Sequence, residues 1–146
     1  MSETLTPPDA TTEPIVLRDS DNGITTLTLN RPKARNALSV AMIEALHKAI
    51  DAAALDASTK VVILTAGRPV FCPGHDLKEM TAARAGDDGG KAFFKTTMNQ
   101  CAEMMQAIVR CPKPIIVAVQ GTATAAGCQL VATCDLAVAA DHATFC

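Results

Sequence analysis

Ile115-Ile116-Val117-Ala118-Val119-Gln120-Gly121-Thr122-Ala123-Thr124-Ala125-Ala126-Gly127-Cys128-Gln129-Leu130 is the stretch that decides how the chain is read. It opens with an apolar, largely β-branched run, the composition of a buried strand. Gly121 then starts a loop of small residues reaching to Gly127, and a helix is expected from there to about Cys134. A second unit has the same grammar. Val61-Val62-Ile63-Leu64 is a short buried-strand run. Phe71-Cys72-Pro73-Gly74-His75-Asp76-Leu77-Lys78 follows as a loop with Pro73-Gly74 at its tip and a helix beginning near Leu77. In α/β folds ligands collect at the carboxyl ends of strands. Small residues let a ligand approach the main chain, and a helix N-terminus offers free N–H groups with positive dipole character. Two such loops meeting would hold an oxygen that gains negative charge. The same pattern also describes ordinary βα turns, so spacing alone leaves both readings open.

Residues 15–18 form a short apolar run, and Asp19-Ser20-Asp21-Asn22-Gly23 is a turn cluster. Residues 24–29 alternate Thr with Ile or Leu, so the two runs read as a hairpin closed by Asn22-Gly23. Arg31-Pro32 ends the second strand. Ser39 is a plausible N-cap, and Met42, Ile43, Leu46, Ala49 and Ile50 recur at helical spacing, which predicts a helix over 40–55. Residues 84–90 are charged and Gly-rich, the composition of a mobile connection. Phe94, Met98, Cys101, Met105 and Ile108 mark the core-facing stripe of a long helix that stops at Pro112 and Pro114. Leu136-Ala137-Val138 is a last strand. The order ββαβ followed by αβαβ predicts an α/β fold with parallel pairing.

With 146 residues the chain is long enough for one domain with a real core. It has no Trp, no Tyr, four Phe and a net charge of −2, which argues against nucleic acid, whose phosphates want a basic surface and whose bases want aromatic platforms. No apolar run approaches the ~18 residues of a membrane span. Cys72, Cys101, Cys111, Cys128, Cys134 and Cys146 show no CxxC pair and sit mostly in apolar segments, so they read as reduced thiols, and no metal site is expected. Residues 1–14 are polar, acidic and Pro-containing, with neither Arg nor an apolar core. They read as a disordered tail on a cytoplasmic protein, ahead of a core at 15–146.

Four segments carry a resemblance. Phe71-Cys72-Pro73-Gly74-His75-Asp76-Leu77-Lys78-Glu79-Met80 resembles the first oxyanion segment of the crotonase (enoyl-CoA hydratase/isomerase) family. Val119-Gln120-Gly121-Thr122-Ala123-Thr124-Ala125-Ala126-Gly127-Cys128-Gln129-Leu130 resembles the second. Leu29-Asn30-Arg31-Pro32-Lys33-Ala34-Arg35-Asn36-Ala37-Leu38 is similar to the family's LNRP…NAL segment, and Cys134-Asp135-Leu136-Ala137-Val138-Ala139 to the strand after its catalytic helix. They occur in the family's order over roughly residues 15–146. The resemblance implies a ClpP/crotonase-like α/β fold, a spiral of ββα units, of which only the N-terminal part is expected here.

It also implies a site. The backbone N–H groups of His75 and Ala126 would bind the thioester oxygen of an acyl-CoA substrate. Lys33, Arg35, Asp76, Leu77 and Lys78 would border the CoA, with a solvated surface charge as the alternative for each basic residue. No permanent cofactor is implied. Fatty-acid metabolism and a homo-oligomer, trimer or hexamer when complete, are the family's usual context. The His75 side chain is read as solvent-facing rather than as an acid–base group. Gln129 departs from the pattern: it stands where family hydratases carry their first catalytic Glu, and a neutral amide can hold a water but cannot accept its proton. The second Glu belongs to a segment past Cys146. Two-carboxylate hydration is therefore not expected, and a catalytically silent acyl-CoA-binding or oligomerisation protein is the alternative. Asp76 and Asp135 read as helix-end residues, Cys128 lacks a neighbouring base, and nothing in the sequence locates His142. A ClpP-type serine peptidase is disfavoured, because no Ser lies in a nucleophile-like turn.

Overall fold

The computed structural model describes residues 13–146. Most of the tail expected at 1–14 lies outside the described residues. Strand β1 (Val16–Asp21) turns at Asn22 and Gly23, both at positive φ, into β2 (Ile24–Leu29). A 3-10 turn (Pro32–Ala34) leads into α1 (Val40–Leu55) and then β3 (Val61–Ala66). Two helices follow, α2 (Leu77–Arg84) and α3 (Lys91–Arg110), then β4 (Ile115–Val119), α4 (Ala126–Thr133) and β5 (Leu136–Ala139). The strands form one five-stranded sheet in sequence order, antiparallel for β1–β2 and parallel thereafter. The α/β order with parallel pairing is what the sequence pattern predicts, and the crotonase-type fold is what the resemblance implies.

Register places one face of the sheet in the core. Leu27 and Leu29, Val62 and Leu64, and Ile115, Val117 and Val119 point inward. They meet Met42, Ile43, Leu46 and Ile50 of α1 and Cys101, Met104, Met105 and Ile108 of α3. Each such fully buried aliphatic side chain contributes roughly 1.5–3 kcal/mol. The alternate residues Val61, Ile63, Ile116 and Ala118 are only half-buried, so β3 and β4 are one-sided rather than sandwiched, which a continuous apolar run does not reveal. Met98 is a second difference. It is 39% exposed, and the buried stripe of α3 passes through Thr97 and Met104 instead. Residues 84–90 are also more ordered in bonding than their composition suggests, because the Asp88 carboxylate accepts from Gly90 and Ala92 at the start of α3.

Short backbone bridges outside the main sheet were not legible in the sequence. Leu38 pairs with His75, Cys72 with Ala123, and Ala123 with Phe145, all parallel. They draw the segments after β3 and β4 and the stretch at 144–146 into one seam. Asn36 braces it. Fully buried and at φ 59°, it accepts from Arg31 N–H and donates to the carbonyls of Gly67 and Val70, both at 2.7 Å.

Candidate functional site

The two loops singled out in the sequence touch. Gly74, at φ 95°, sits so close to the second loop that a Cβ on it would lie 3.1 Å from Ala125 Cβ and 3.2 Å from Ala126 N. The backbone seam holds them: Phe71 and Cys72 N–H donate to Thr122 O, Thr124 N–H donates to Cys72 O at 3.0 Å, and Thr124 Oγ1 donates to Pro73 O at 2.9 Å. Two glycines make the approach possible. A Cβ on Gly127 would stand 2.1 Å from Cys72 O, and one on Gly121 would stand 2.4 Å from Pro69 O.

His75 in the first loop and Ala126 in the second are among the loop residues whose N–H finds no acceptor among the described residues. Leu38 N–H donates to Gly74 O (2.8 Å) and Asp76 N–H donates to Leu38 O (3.1 Å), so the N–H of His75, the residue between, points to the opposite edge. Ala126 is the first residue of α4, where no intrahelical partner exists for an N–H. Among the described residues neither N–H donates a hydrogen bond. The second loop reaches this arrangement through a strained turn. Ala125 has φ 50° and ψ −124°, and Gly127 N–H closes onto Thr124 O at 2.7 Å. That is a type II′ turn with alanine at a position that favours glycine. Such a conformation costs about 1–3 kcal/mol.

The first loop is held by side chains. Asp76 caps α2, its Oδ1 accepting from Lys78 N–H at 3.0 Å. Glu79 stands three residues further on, at capping-box spacing, but reaches across to accept from Val40 N–H of α1 at 2.9 Å. The Arg31 guanidinium lies 3.6 Å from Asp76 Oδ2 and donates to Ser39 Oγ, the N-cap of α1, at 2.6 Å. Sequence reasoning missed Arg31, Asn36 and Glu79 as individuals, although all lie inside segments it quoted.

His75 is corrected: its side chain is half-buried rather than solvent-facing, and Nδ1 is shut from solvent with no hydrogen-bond partner among the described residues. Burial lowers its pKa, so the ring is neutral at neutral pH. Gln129 is exposed on α4, three residues beyond Ala126 and on the same side of the helix. Leu77 is 73% exposed, and Lys33, Arg35 and Lys78 are exposed with no ion pair among the described residues. Lys33 joins Arg31, Glu13 and Asn30 around an open cavity of about 390 Å³, which Arg35 and Lys78 do not line. A larger cavity, about 490 Å³, lies on the outer side of α1 and α3 and contains none of these residues.

Asp135 clasps the start of β4, accepting from Ile115 N–H at 2.7 Å, instead of capping a helix. The ring of His142 lies 3.1 Å from both Asp141 Oδ1 and Gln120 O, outside the seam. Burial pushes the Cys72 thiol up to about 11 and the Cys134 thiol up to about 12, while Cys128 Sγ–H donates to Ala123 O. Neither of these raised thiols is a nucleophile at neutral pH.

Residues 19–146 match the enoyl-CoA hydratase/isomerase family. The chain belongs to this family. The family's solved structures superpose on it closely. An enoyl-CoA hydratase from Mycobacterium smegmatis is 51% identical with a TM-score of 0.84, over 91% of this chain and 50% of that one. Human enoyl-CoA hydratase domain-containing protein 3 is 39% identical with a TM-score of 0.82, over 90% and 50%. The protein of the latter name from Xenopus laevis is 44% identical over 132 residues, 90% of this chain and 43% of its own length. The chain thus spans less than half the length of that curated relative. These comparisons also overturn the cytoplasmic expectation: the frog, rat, zebrafish and human relatives are all named mitochondrial. That expectation rested on the composition of residues 1–14, which carries no reliable address.

Proposed function

We propose that the chain binds an acyl-CoA thioester and stabilises its enolate through the N–H groups of His75 and Ala126. The observation that carries this reading is the pair of free N–H groups on two loops in van der Waals contact. Deprotonation next to a thioester, or addition to its conjugated double bond, moves charge onto the carbonyl oxygen. Two preorganised donors lower the energy of that charge without solvent reorganisation. A site so built favours enolate mimics over ground-state thioesters. Lys33, Arg35 and Lys78 supply positive charge for the CoA phosphates, and Asp76 and Leu77 shape the rim. No permanent cofactor enters this scheme.

Gln129 limits the reaction. On α4, where the resemblance puts the first catalytic Glu, its amide can orient a water or a thioester but cannot remove a proton. The complete protein is therefore an enolate-stabilising member of the family that does not run two-carboxylate hydration, in fatty-acid chemistry and as a trimer or hexamer. The exposed Gln129 also favours a second reading, a catalytically silent acyl-CoA-binding or oligomerisation protein. A turnover screen of the complete protein across acyl-CoA esters separates the two: robust turnover removes the silent reading.

The binding claim is tested by calorimetric titration with acetoacetyl-CoA, whose enolate resembles the charged state. Ala126→Pro deletes one donor at a first-turn position that tolerates proline. It should weaken binding about 100-fold, with the fold checked by circular dichroism. Unchanged affinity in a folded variant would falsify the oxyanion role.

A further inference from the structure

Both N-caps at the seam converge on a single guanidinium. Ser39 Oγ accepts from Met42 N–H and caps α1, and Asp76 Oδ1 accepts from Lys78 N–H and caps α2. Arg31 donates to the first at 2.6 Å and pairs with the second across 3.6 Å. The site is sheltered, with the Arg31 and Asp76 side chains 27% and 12% exposed. Arg31 is itself immobilised by its main chain: its N–H donates to Asn36 Oδ1 at 2.9 Å, and its carbonyl accepts from Ala34 and Asn36. Glu79 and Val40 form a second tie between the same helix starts.

Asp76 is the residue immediately after His75. Its peptide N–H and the carbonyl of Gly74 fix His75 against Leu38 from both sides. The direction of the free His75 N–H therefore depends on where Asp76 is held, and Arg31 holds it. We infer that Arg31 is a positioning residue: through Asp76 it aims the His75 N–H at the developing oxyanion. This rests on the reading of His75 and Ala126 as the oxyanion donors and names the residue that sets one of them. Hydrogen-bond stabilisation of a developing charge is steep in distance and angle. A loosened pair should therefore cost enolate stabilisation while leaving contacts to the CoA moiety in place.

The test uses Arg31→Gln, which keeps a donor for Ser39 but loses the charge facing Asp76, and Arg31→Lys, which keeps the charge. Acetoacetyl-CoA is titrated while its enolate absorbance is followed, and free CoA, which has no thioester oxygen, is titrated beside it. Arg31→Gln should weaken enolate binding about tenfold and leave free CoA within about twofold. Arg31→Lys should recover part of the loss. Equal losses for acetoacetyl-CoA and free CoA would overturn the inference, because they would mark Arg31 as a CoA contact or a purely structural residue.

Amide spectra of the ligand-free chain provide an independent arm. Arg31→Gln should move the His75 and Asp76 amide resonances and leave Ala126 in place. An unmoved His75 amide overturns the positioning role whatever the ligand does. If the unsubstituted chain shows no enolate signal, or one that Ala126→Pro leaves unchanged, the oxyanion reading itself fails, which is a different result from an Arg31 effect.

Discussion

The two donor loops reach the same end by different means. The 71–76 loop is aimed by side chains: the Arg31–Asp76 pair, the Glu79 carboxylate on Val40 N–H, and the Asn36 amide below them. The 121–127 loop is aimed mainly by close packing of the main chain, with Gly121 and Gly127 pressed onto the carbonyls of Pro69 and Cys72, the Thr124 hydroxyl on Pro73 O, and Ala125 bent into a glycine conformation. A donor set by charges can be retuned in small steps. A donor set by close packing tolerates no added volume.

That contrast can be broken most severely at Gly127. A methyl there meets Cys72 O at 2.1 Å, so Gly127→Ala should destabilise the chain by about 4 kcal/mol or prevent folding. Urea denaturation with its midpoint near wild type would show that the seam is looser than described. Next comes Asn36→Ala on the side-chain-built loop. It strands the Val70 carbonyl and the Arg31 N–H, leaves Gly67 O only a 3.5 Å contact from Gln120 Nε2, and should cost about 2–4 kcal/mol in the same assay. A loss below about 0.5 kcal/mol would mean that water replaces the amide without penalty.

A third substitution acts with the opposite sign. Ala125→Gly removes the strain of φ 50° and should raise stability by about 1 kcal/mol while keeping the turn. Destabilisation would show that the alanine methyl is worth more than the backbone strain it imposes.

The smallest effect is a pH dependence confined to the 71–76 loop, which carries a titratable ring while the other donor is alanine. Burial lowers the His75 pKa below its ordinary 6.5. The unfolded chain therefore takes up this proton first as pH falls, and stability falls with pH below about 6.5. Thermal melts from pH 7.5 to 5.5 should lose part of that slope in His75→Gln. An identical slope would place the acid sensitivity elsewhere.

Much of this was legible because apolar periodicity and turn chemistry are local. The helix over 40–55, its Ser39 cap, the Asn22-Gly23 hairpin and the parallel order all follow from residues within a few positions of one another. The two loops were legible as a pair because both end strands with small residues. What the sequence hid is non-local. No spacing rule tells that Glu79, at capping-box distance from Asp76, serves another helix, or that Arg31 reaches both Ser39 and Asp76. The half-burial of His75 and the exposure of Met98 depend on which neighbours arrive, not on the residues themselves.

The two free donors at the seam belong to the main chain, and this has a consequence for how such a protein can diverge. A main-chain N–H survives every substitution except proline, so position 75 can drift through many side chains, and position 126 through those small enough for its packed loop, while the oxygen-holding device is inherited intact. Selection can then write a new reaction at Gln129 or its surroundings without first rebuilding the part that is hardest to assemble.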